Sequence, residues 1–397
     1  MAVYEGPIFD ADNHFYEAHD AFTRHVPEKM QSRCVQWITL ERNARQYQLV
    51  GSRLDPDMTN ANPTFDPISK PGVLRELFQG NPEGKTGRDL MRSSLEPLRP
   101  EYMDPEARLA VMDDQGLDGA WLFPTQAVLL EEQIKHDVTA SCVMFDAFNR
   151  WLAEDWGYSF KDRIFAAPYL TLSDVDWACA QLDRVLEHDA RIIVMRPSAV
   201  FTRDGPRNPG DRVFDQFWAR VNEAGVTVAV HIGSTRHDSN GYDRHNRDML
   251  GLGSRPSIAN FHRSRNINDF LASMVFDLAF ERFPNLRVVS VENGSEFLPG
   301  LLRALGKSKQ RTPHHYTDDP VDVFREHVWI NPFWEDDMVE IIELMGANHV
   351  TYGSDWPHME GMGLPRDILG ELDGISEAAQ HLVLHDNAVG LNELRPA

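Results

Sequence analysis

Acidic and imidazole side chains follow several apolar segments of this sequence, each at the point where a buried strand would end. Asp12 and His14 stand in "FDADNHFYE", His231 in "VAVHIGS" and Asp355 in "VTYGSDWPH". Because Asp12 and His14 are two residues apart, both side chains of an extended chain point to the same side, where one ion can take both. Nitrogen and oxygen donors of this kind suit a divalent metal ion: zinc first, with manganese or iron as alternatives.

Each of these residues also has an ordinary structural explanation. An aspartate such as Asp12 can cap a turn, and a histidine such as His231 at a strand end can be a hydrogen-bonded core residue. Asp355 follows Gly and Ser, a context typical of a turn. The metal hypothesis therefore depends on the joint placement of the residues at the ends of the first, fifth and eighth strands of one sheet.

The elements that must position these residues form a repeating pattern. Eight short, nearly continuous apolar runs are separated mostly by helical patterns, as in a buried parallel sheet. One helix begins after Asp104 and Pro105 and ends at Gly116. The rhythm predicts a single domain over 1–397, an α/β (β/α)8 TIM barrel. A doubly wound open sheet is the alternative, although no glycine-rich phosphate loop follows any strand.

A long irregular segment, about residues 30–100, follows the first strand and is rich in Pro, Asn, Asp and Gly. Part of it, "CVQWITLERNARQYQLVGSRL", predicts a hairpin around Arg42 to Arg45. Long loops inside compact domains are usually functional or disordered. We therefore expect an inserted excursion that covers the mouth of the barrel. Substrate specificity would lie there and in the loop "HDSNGYDRHNRDMLGLGSRPS".

Further polar residues stand at the other strand ends. Arg196 follows the fourth strand, Glu292 the sixth and Asn331 the seventh, and His358 comes three residues after Asp355. Since the carboxyl ends of barrel strands form one face, all of these side chains are expected at one mouth.

Most of these additional residues have two interpretations. Arg196 could hold a substrate carboxylate or be an ion-pair partner, and His358 could line the mouth or lie in a surface loop. Glu17 could orient His14 or cap a following segment. The aromatic residues Phe333, Trp334 and Trp356 could form an apolar wall of the site or pack in the core. The adjacent His314 and His315 are expected to be solvated or near a partner interface rather than to be ligands.

The combined pattern resembles the amidohydrolase superfamily, in particular its amidohydrolase-related branch, which contains aminocarboxymuconate semialdehyde decarboxylase-like proteins. The segments that carry the resemblance are "DADNHFYE", "RLAVMDDQGLDGAWLFP", "FNRWLAED", "AAPYLTLSD", "VHIG", "VVSVENGSEFLP" and "YGSDWPH". By this resemblance, Asp12 and His14 take the places of the first-strand His-x-His pair, whose first member is a carboxylate in a decarboxylase subset. His231 matches the ligand of the fifth strand. Asp355 matches the aspartate of the eighth strand, which binds metal and handles a proton.

Two departures from the family pattern matter. The fourth strand ends in "VMRPS", without a lysine that could be carbamylated between two metals, which favours one metal. Glu292 stands where many members have a histidine. Its carboxylate could recruit a second ion, hold the first, or act as a base.

Four functional hypotheses follow from the resemblance. In a hydrolase, a metal-activated water attacks, Asp355 takes the proton, and His358 or Glu292 assists the leaving group. In a non-oxidative decarboxylase, Asp355 protonates the carbon while Arg196 anchors a small organic acid. A second metal at Glu292 would give a dinuclear iron or manganese site that activates oxygen. The fourth hypothesis is a non-catalytic subunit of a hetero-oligomer.

Composition limits the partners. The 397 residues include 39 Lys plus Arg and 61 Asp plus Glu, for a formal net charge of −22. Such a surface repels nucleic acid and anionic membranes, and no apolar run approaches the roughly 20 residues that span a bilayer. The amino terminus lacks the features of a secretion signal, and three widely separated cysteines favour a reducing cytoplasm. A small-molecule substrate and a homodimer or larger oligomer are expected.

Overall fold

Seven short parallel strands form the framework of the computed structural model, which describes residues 4–41, 45–54, 66–81, 83–233 and 264–397. They are β1 (Phe9–Phe15), β2 (Gly119–Pro124), β3 (Ile164–Ala166), β4 (Ile192–Met195), β5 (Thr227–His231), β6 (Arg287–Val291) and β7 (Val328–Asn331). Strands β1, β2 and β3 form one parallel sheet, and β4 to β7 form another in sequential order. The expected mixed α/β fold with parallel strands is confirmed.

Hydrogen bonds also connect these two sheets. The backbone N–H of Leu170, just beyond β3, donates to the carbonyl of Val194 in β4 at 2.9 Å. On the other side, the segment 350–356 lies between β7 and β1. The N–H of Thr351 donates to the Ile330 carbonyl at 2.9 Å, and the N–H of Ala11 donates to the Tyr352 carbonyl at 2.8 Å.

This segment 350–356 is the predicted eighth strand, and it differs from a regular strand. It forms only single bridges, Ile330 with Val350 and Asn13 with Trp356. The backbone of Asp355 has a φ of 55°, in the left-handed region that side chains other than glycine rarely adopt. The ladder is interrupted because the chain turns at Asp355.

Helices alternate with the parallel strands. They are α1 (Pro105–Gln115), α2 (Ala127–Ile134), α3 (Val138–Asp155), α4 (Val175–Glu187), α5 (Asp215–Ala224), α6 (Arg265–Phe276), α7 (Ala279–Arg282), α8 (Leu298–Arg311), α9 (Pro320–His327), α10 (Met338–Met345), α11 (Glu377–His381) and α12 (Asn387–Asn392). The predicted boundaries of α1 are confirmed: the Asp104 carboxylate accepts from the Ala107 N–H at 2.8 Å, and Gly116 ends the helix with a φ of 67°. Within the described parts of the chain, no helix has the length and apolarity needed to cross a membrane.

The excursion after β1 begins with an antiparallel pair, Val35–Leu40 with Arg45–Val50, so the predicted hairpin is confirmed; its tip at 42–44 lies outside the described residues. Its other elements are the strands Arg53–Leu54, Ile68–Ser69 and Leu95–Glu96 and the helices Arg75–Phe78 and Gly87–Ser93. Gln48 donates to the Gln126 side chain beyond β2 at 3.1 Å, and the Leu74 N–H donates to the Met359 carbonyl at 2.8 Å. The excursion therefore contacts the chain just beyond β2 and just beyond the segment 350–356.

Strand β1 is unusual because it buries polar side chains. All seven of its residues are buried, and four of them carry polar groups: Asp10, Asp12, Asn13 and His14. Burial of charged and polar groups is costly unless they are paired or bind a ligand. This strand is therefore the first place to look for a functional site.

Candidate metal and proton-transfer site

The structure brings Asp12, His14 and His231 together as the sequence predicts. The Nε2 atoms of the two histidines lie 3.2 Å apart, and Asp12 Oδ1 lies 3.4 Å from His14 Nε2 and 3.5 Å from His231 Nε2. Ligand atoms bound about 2 Å from one tetrahedral ion are separated by about 3.4 Å. Asp12 Oδ1 is buried and has no hydrogen-bond partner among the described residues. The three side chains thus fit a single divalent ion.

Contacts at the strand ends orient the rings of both histidines. His231 Nδ1 lies 2.8 Å from the Ile232 carbonyl, to which it can only donate, so in the neutral ring the lone pair that a metal needs is at Nε2. The His14 ring packs against Phe123 of β2, with ring centroids 6.2 Å apart, and its backbone N–H donates to the Trp356 carbonyl at 2.8 Å.

A buried polar network holds β1 against the segment 350–356. The carboxylate of Asp10 accepts from the Ser354 N–H at 2.9 Å and from the Asn13 side chain at 2.8 Å. Arg108 of α1, fully buried, donates to the Asn13 side chain and to the His14 carbonyl, the latter at 2.7 Å. Burial raises the pKa of Asp10 to about 6 and lowers that of Arg108 to about 9. The network fixes His14 and Asp355 relative to each other.

Asp355 and His358 form a hydrogen-bonded pair beside these potential ligands. Asp355 Oδ1 lies 3.4 Å from His14 Nε2 and 2.6 Å from His358 Nδ1. The other ring nitrogen, His358 Nε2, lies 2.9 Å from the hydroxyl of Thr125, whose only proton is donated to the Phe15 carbonyl at 2.8 Å. With that proton on the Phe15 carbonyl, the hydroxyl accepts from His358 Nε2–H.

The contacts of His358 bear on how many protons it shares with Asp355. With Nε2 protonated, a neutral His358 would present a lone pair at Nδ1 to a carboxylate oxygen only 2.6 Å away. Two lone pairs at that distance repel, so the contact requires one proton, carried either by His358 Nδ1 or by the Asp355 carboxylate. Sequence reasoning did not identify Thr125; a hydroxyl directly after the apolar run "WLFP" was the available signal.

Glu292 lies on the opposite side of His231, with Oε2 at 3.5 Å from its Nε2. Like Asp355, it is in the left-handed region, with a φ of 57°, a cost often found at functional sites. Oxygens of Glu292, Asp355 and Glu360 lie within 4.8 Å of one another. Glu360 was not predicted from the sequence, although it follows "SDWPHM" directly.

The pKa values of the acidic groups in the site are shifted in opposite directions. Burial raises the pKa of Asp12, but the adjacent imidazoles of His14 and His231 outweigh it, and the net pKa is lowered. Burial lowers the pKa of His14 well below its usual value, which keeps the imidazole neutral and able to bind metal. In contrast, burial and the neighbouring Glu360 raise the pKa of Asp355. These surroundings favour the ionised form of Asp12 and the protonated form of Asp355.

Aromatic side chains border this region. Phe333 and Trp334, directly after β7, pack against Phe78 of the excursion with ring centroids 6.2 Å apart. They line a cavity of about 350 Å³ that also touches Gly353. Trp356 instead packs in an apolar cluster with Tyr102, as core.

The remaining predicted residues lie as follows. Asn331 is buried, donates to the Ala11 carbonyl at 3.1 Å, and has an Oδ1 atom without a partner among the described residues. His314 and His315 are exposed, and His315 Nε2 lies 2.7 Å from the Phe276 carbonyl.

Arg196 is buried in an ion pair. Its Nε lies 3.1 Å from Glu131 and its Nη1 2.7 Å from Glu132, both on α2. This is the ion-pair interpretation of Arg196; binding of a substrate carboxylate stays a prediction.

Replacing Arg196 with methionine is expected to destabilise the fold, because buried Glu131 would lose its cation and Glu132 would keep only Lys135, whose Nζ lies 2.6 Å from it. The expected loss is about 3 kcal/mol in the free energy of unfolding, measured by guanidinium denaturation. The exposed Arg33–Asp137 pair, with N–O 2.6 Å, is the matched control. Arg33→Met should cost less than about 1 kcal/mol. Equal, small losses in both variants would contradict this role of Arg196.

Glu17 lies at the start of α2. Its Oε1 accepts the N–H groups of Gln126 and Ala127 at 2.7 and 3.1 Å. Two roles were predicted for Glu17, and the structure shows the capping role, at the start of α2. Among the described residues, no hydrogen bond joins Glu17 to His14. Burial raises the pKa of Glu17 to about 7.

This raised pKa predicts a pH dependence. Folded Glu17 holds its proton up to about pH 7 whereas the unfolded chain releases it near 4.5, so the free energy of unfolding falls as the pH rises between these values. Glu17→Gln keeps the accepting oxygen and removes the charge. We expect it to stabilise the protein by about 2 kcal/mol at pH 8 and little at pH 4.5, measured by denaturation at both pH values. Glu28→Gln, at an exposed position, should leave the free energy of unfolding unchanged at both pH values. A Glu17→Gln variant that is less stable than the wild type at pH 8 would contradict the raised pKa of Glu17.

Comparison with known proteins agrees with this geometry. A family model described as amidohydrolase matches residues 10–391. The crystal structure of an amidohydrolase from Mycobacterium avium subsp. paratuberculosis K-10 is 38% identical, with a TM-score of 0.90, covering 98% of this chain and 100% of that one.

More distant relatives include decarboxylases. A 2-amino-3-carboxymuconate-6-semialdehyde decarboxylase from Dictyostelium discoideum is 28% identical over 138 residues, 32% of this chain and 36% of the relative, so the chain matches about a third of that curated relative's length. A dihydroxybenzoic acid decarboxylase from Polaromonas sp. JS666, solved with bound manganese and 2-nitroresorcinol, shares the fold at 16% identity, with a TM-score of 0.62 and coverage of 98% and 97%. From the family match over nearly its whole length, this chain belongs to the amidohydrolase family.

Proposed function

We propose that this protein is a metal-dependent carboxy-lyase that decarboxylates a small carboxylic acid without oxidation. The observation that carries the proposal is the hydrogen bond between Asp355 Oδ1 and His358 Nδ1, 2.6 Å apart, which can hold a transferable proton directly beside the group formed by Asp12, His14 and His231. Decarboxylation needs such a proton for the carbon that loses carbon dioxide. The 28% identical decarboxylase supports the same reaction class.

Asp12, His14 and His231 would hold the metal, with Asp355 and Glu292 next to them. The unpartnered Asp12 Oδ1 and the lone pair that His231 presents at Nε2 are the observations that fit this group. A divalent ion bound there supplies a positive charge that stabilises negative charge on substrate oxygens. Zinc and manganese both suit this donor set, and the Polaromonas relative was solved with manganese.

The protein's own residues would manage the proton. Asp355 delivers it to the substrate carbon as the bond to the carboxylate breaks, so that one proton enters and one carbon dioxide leaves. His358 holds Asp355 in place through its 2.6 Å hydrogen bond, and Thr125 fixes the orientation of the imidazole by accepting from its Nε2 at 2.9 Å. His358, at the less buried end, can return a proton from solvent to Asp355.

The proposal also extends the fold to a closed (β/α)8 barrel whose eighth member is the segment 350–356. The hydrogen bonds of this segment to β7 and β1, and those between the end of β3 and β4, support closure. The excursion, whose contacts lie beyond β2 and beyond Asp355, would cover the mouth.

Hydrolysis is the second candidate, because the 38% identical structure is described as an amidohydrolase. In that reaction Asp355 would have to accept a proton from water rather than donate one. The two reactions therefore require opposite protonation states of Asp355 at the start of turnover.

The test is a substrate panel in deuterated water with purified, manganese- or zinc-loaded protein. Ortho-hydroxy aromatic acids such as 2,6-dihydroxybenzoate are compared with amides and lactones, and carbon dioxide release is measured beside deuterium at the product carbon. Release of carbon dioxide with one deuterium per product would support the proposal. Turnover of amides or lactones without carbon dioxide would establish hydrolysis instead.

A further inference from the structure

We propose that Glu17 is a positioning residue that acts on the pair formed by Asp355 and His358 through the segment 124–127, which joins β2 to α2. The inference rests on the proton transfer proposed above. It adds a residue that belongs to none of the groups of potential metal ligands in the described structure.

The start of α2 has no cap from its own sequence. Gln126, the residue before the helix, makes no side-chain capping hydrogen bond in the described structure, whereas Asp104 and Asp319 cap α1 and α9 in this way. The N–H groups of Gln126 and Ala127 donate instead to Glu17 Oε1, on a residue 109 and 110 positions earlier in the chain. Since the first N–H groups of a helix need such partners, the segment that follows β1 determines where α2 begins.

The same segment orients the hydroxyl of Thr125. The carbonyl of Phe15, two residues before Glu17, accepts the Thr125 hydroxyl proton at 2.8 Å. The hydroxyl oxygen lies 2.9 Å from His358 Nε2, from which it accepts. Residues 15–17 therefore set both the backbone of the segment 124–127 and the direction of the hydroxyl that holds His358.

The excursion adds a third contact to the segment 124–127. Gln48 of its hairpin donates from Nε2 to Gln126 Oε1 at 3.1 Å. Gln48, Gln126 and Glu17 are each 4% exposed. Because buried and hydrogen-bonded supporting residues hold a functional group precisely, this segment suits a positioning role.

A buried carboxyl group is an expensive cap. The capping residues Asp104 and Asp319 are exposed, so their charges stay in water. Burial raises the pKa of Glu17 to about 7, and its Oε2 has no hydrogen-bond partner among the described residues. Proteins accept such local costs at functional sites. The cost is explained if Glu17 holds His358 in place and does not only begin a helix.

The experiment is a double-mutant cycle of Glu17→Leu with Thr125→Val in the metal-loaded protein. Glu17→Leu removes the accepting oxygen, and the displaced Thr125 should lower kcat about tenfold, with KM and metal content unchanged. Thr125→Val alone should lower kcat about fivefold. If Glu17 acts through Thr125, the double variant should also be about tenfold slower, whereas independent effects would multiply to about fiftyfold.

Two further variants show whether the accepting oxygen is responsible. Glu17→Gln keeps an accepting oxygen and should recover kcat to within about threefold of the wild type. Asp319→Ala, which removes the exposed cap of α9, is the matched control and should leave kcat unchanged.

A second measurement does not depend on turnover. With isotopically labelled histidine, the Nε2–H that His358 donates to Thr125 should give an exchange-protected imidazole resonance, identified by its loss in Thr125→Val. We expect Glu17→Leu to lose this resonance, and Glu17→Gln and Asp319→Ala to keep it.

The outcomes separate this inference from the proposed function. Losses of kcat that multiply in the cycle, or a His358 resonance that is unchanged in Glu17→Leu, would overturn the positioning role. If Glu17→Leu does not fold, Gln48→Leu replaces it in both measurements, with the same two outcomes. Protein that releases no carbon dioxide but shows the expected spectra would reject the proposed function and leave the positioning of His358 by Glu17 intact.

Discussion

Replacing His14 and His231 together with alanine is expected to abolish metal binding while the protein stays folded. Both Nε2 atoms face Asp12 Oδ1 within 3.5 Å, so the variant removes two of the three donors to the proposed ion. The fold should survive because its core consists of apolar side chains from the strands and helices. Since a bound metal contributes several kcal/mol of charge stabilisation, turnover should fall about 10³-fold or more. Elemental analysis and circular dichroism measure the two effects.

The matched control is His314→Ala, which removes an exposed imidazole. It should retain full metal content and activity. A double variant at His14 and His231 that still holds the wild-type complement of metal would show that the ligand assignment is wrong. An unfolded double variant would mean that the ion is structural, and single variants with denaturation curves at several metal concentrations would then measure its contribution to stability.

The fold was predictable to the extent that it depends on local pattern. Apolar runs gave the seven parallel strands, and α1 begins after Asp104 and ends at Gly116 as its capping residues require. The eighth run did not form a regular strand because Asp355 turns the backbone into the left-handed region. A single residue's backbone angle is set by its surroundings and is not visible in hydropathy.

The grouping of the candidate metal ligands was predictable for a different reason. Parallel strands of a barrel place their carboxyl ends on one face, so residues far apart in sequence, such as His14 and His231, can be assigned to one site. Thr125 and Glu360 were missed because their roles depend on contacts across loops. The partners of Arg196 lie on α2, 64 and 65 residues earlier in the sequence, and spacing alone gives no sign of such a pair.

Replacing Asp355 with asparagine is expected to lower kcat about 10³-fold, because the isosteric amide cannot deliver a proton. If decarboxylation is the reaction, KM should change little, since the side chain's size is kept. Deuterium incorporation in deuterated water measures the proton step directly. A variant with half the wild-type kcat would remove Asp355 from this role.

The role of Asp355 in proton transfer must be separated from a role in binding metal, and Thr125→Val does so. The substitution removes only the hydroxyl that accepts from His358 Nε2 at 2.9 Å, and Thr125 belongs to no group of potential metal ligands in the described structure. Loss of about 1 kcal/mol of hydrogen bonding should lower kcat roughly fivefold with metal content unchanged. Thr351→Val is the matched control, because its buried hydroxyl has no described partner and its loss should not affect kcat. If both threonine variants keep wild-type kcat while Asp355→Asn loses metal, Asp355 acts as a ligand and the proton comes from elsewhere.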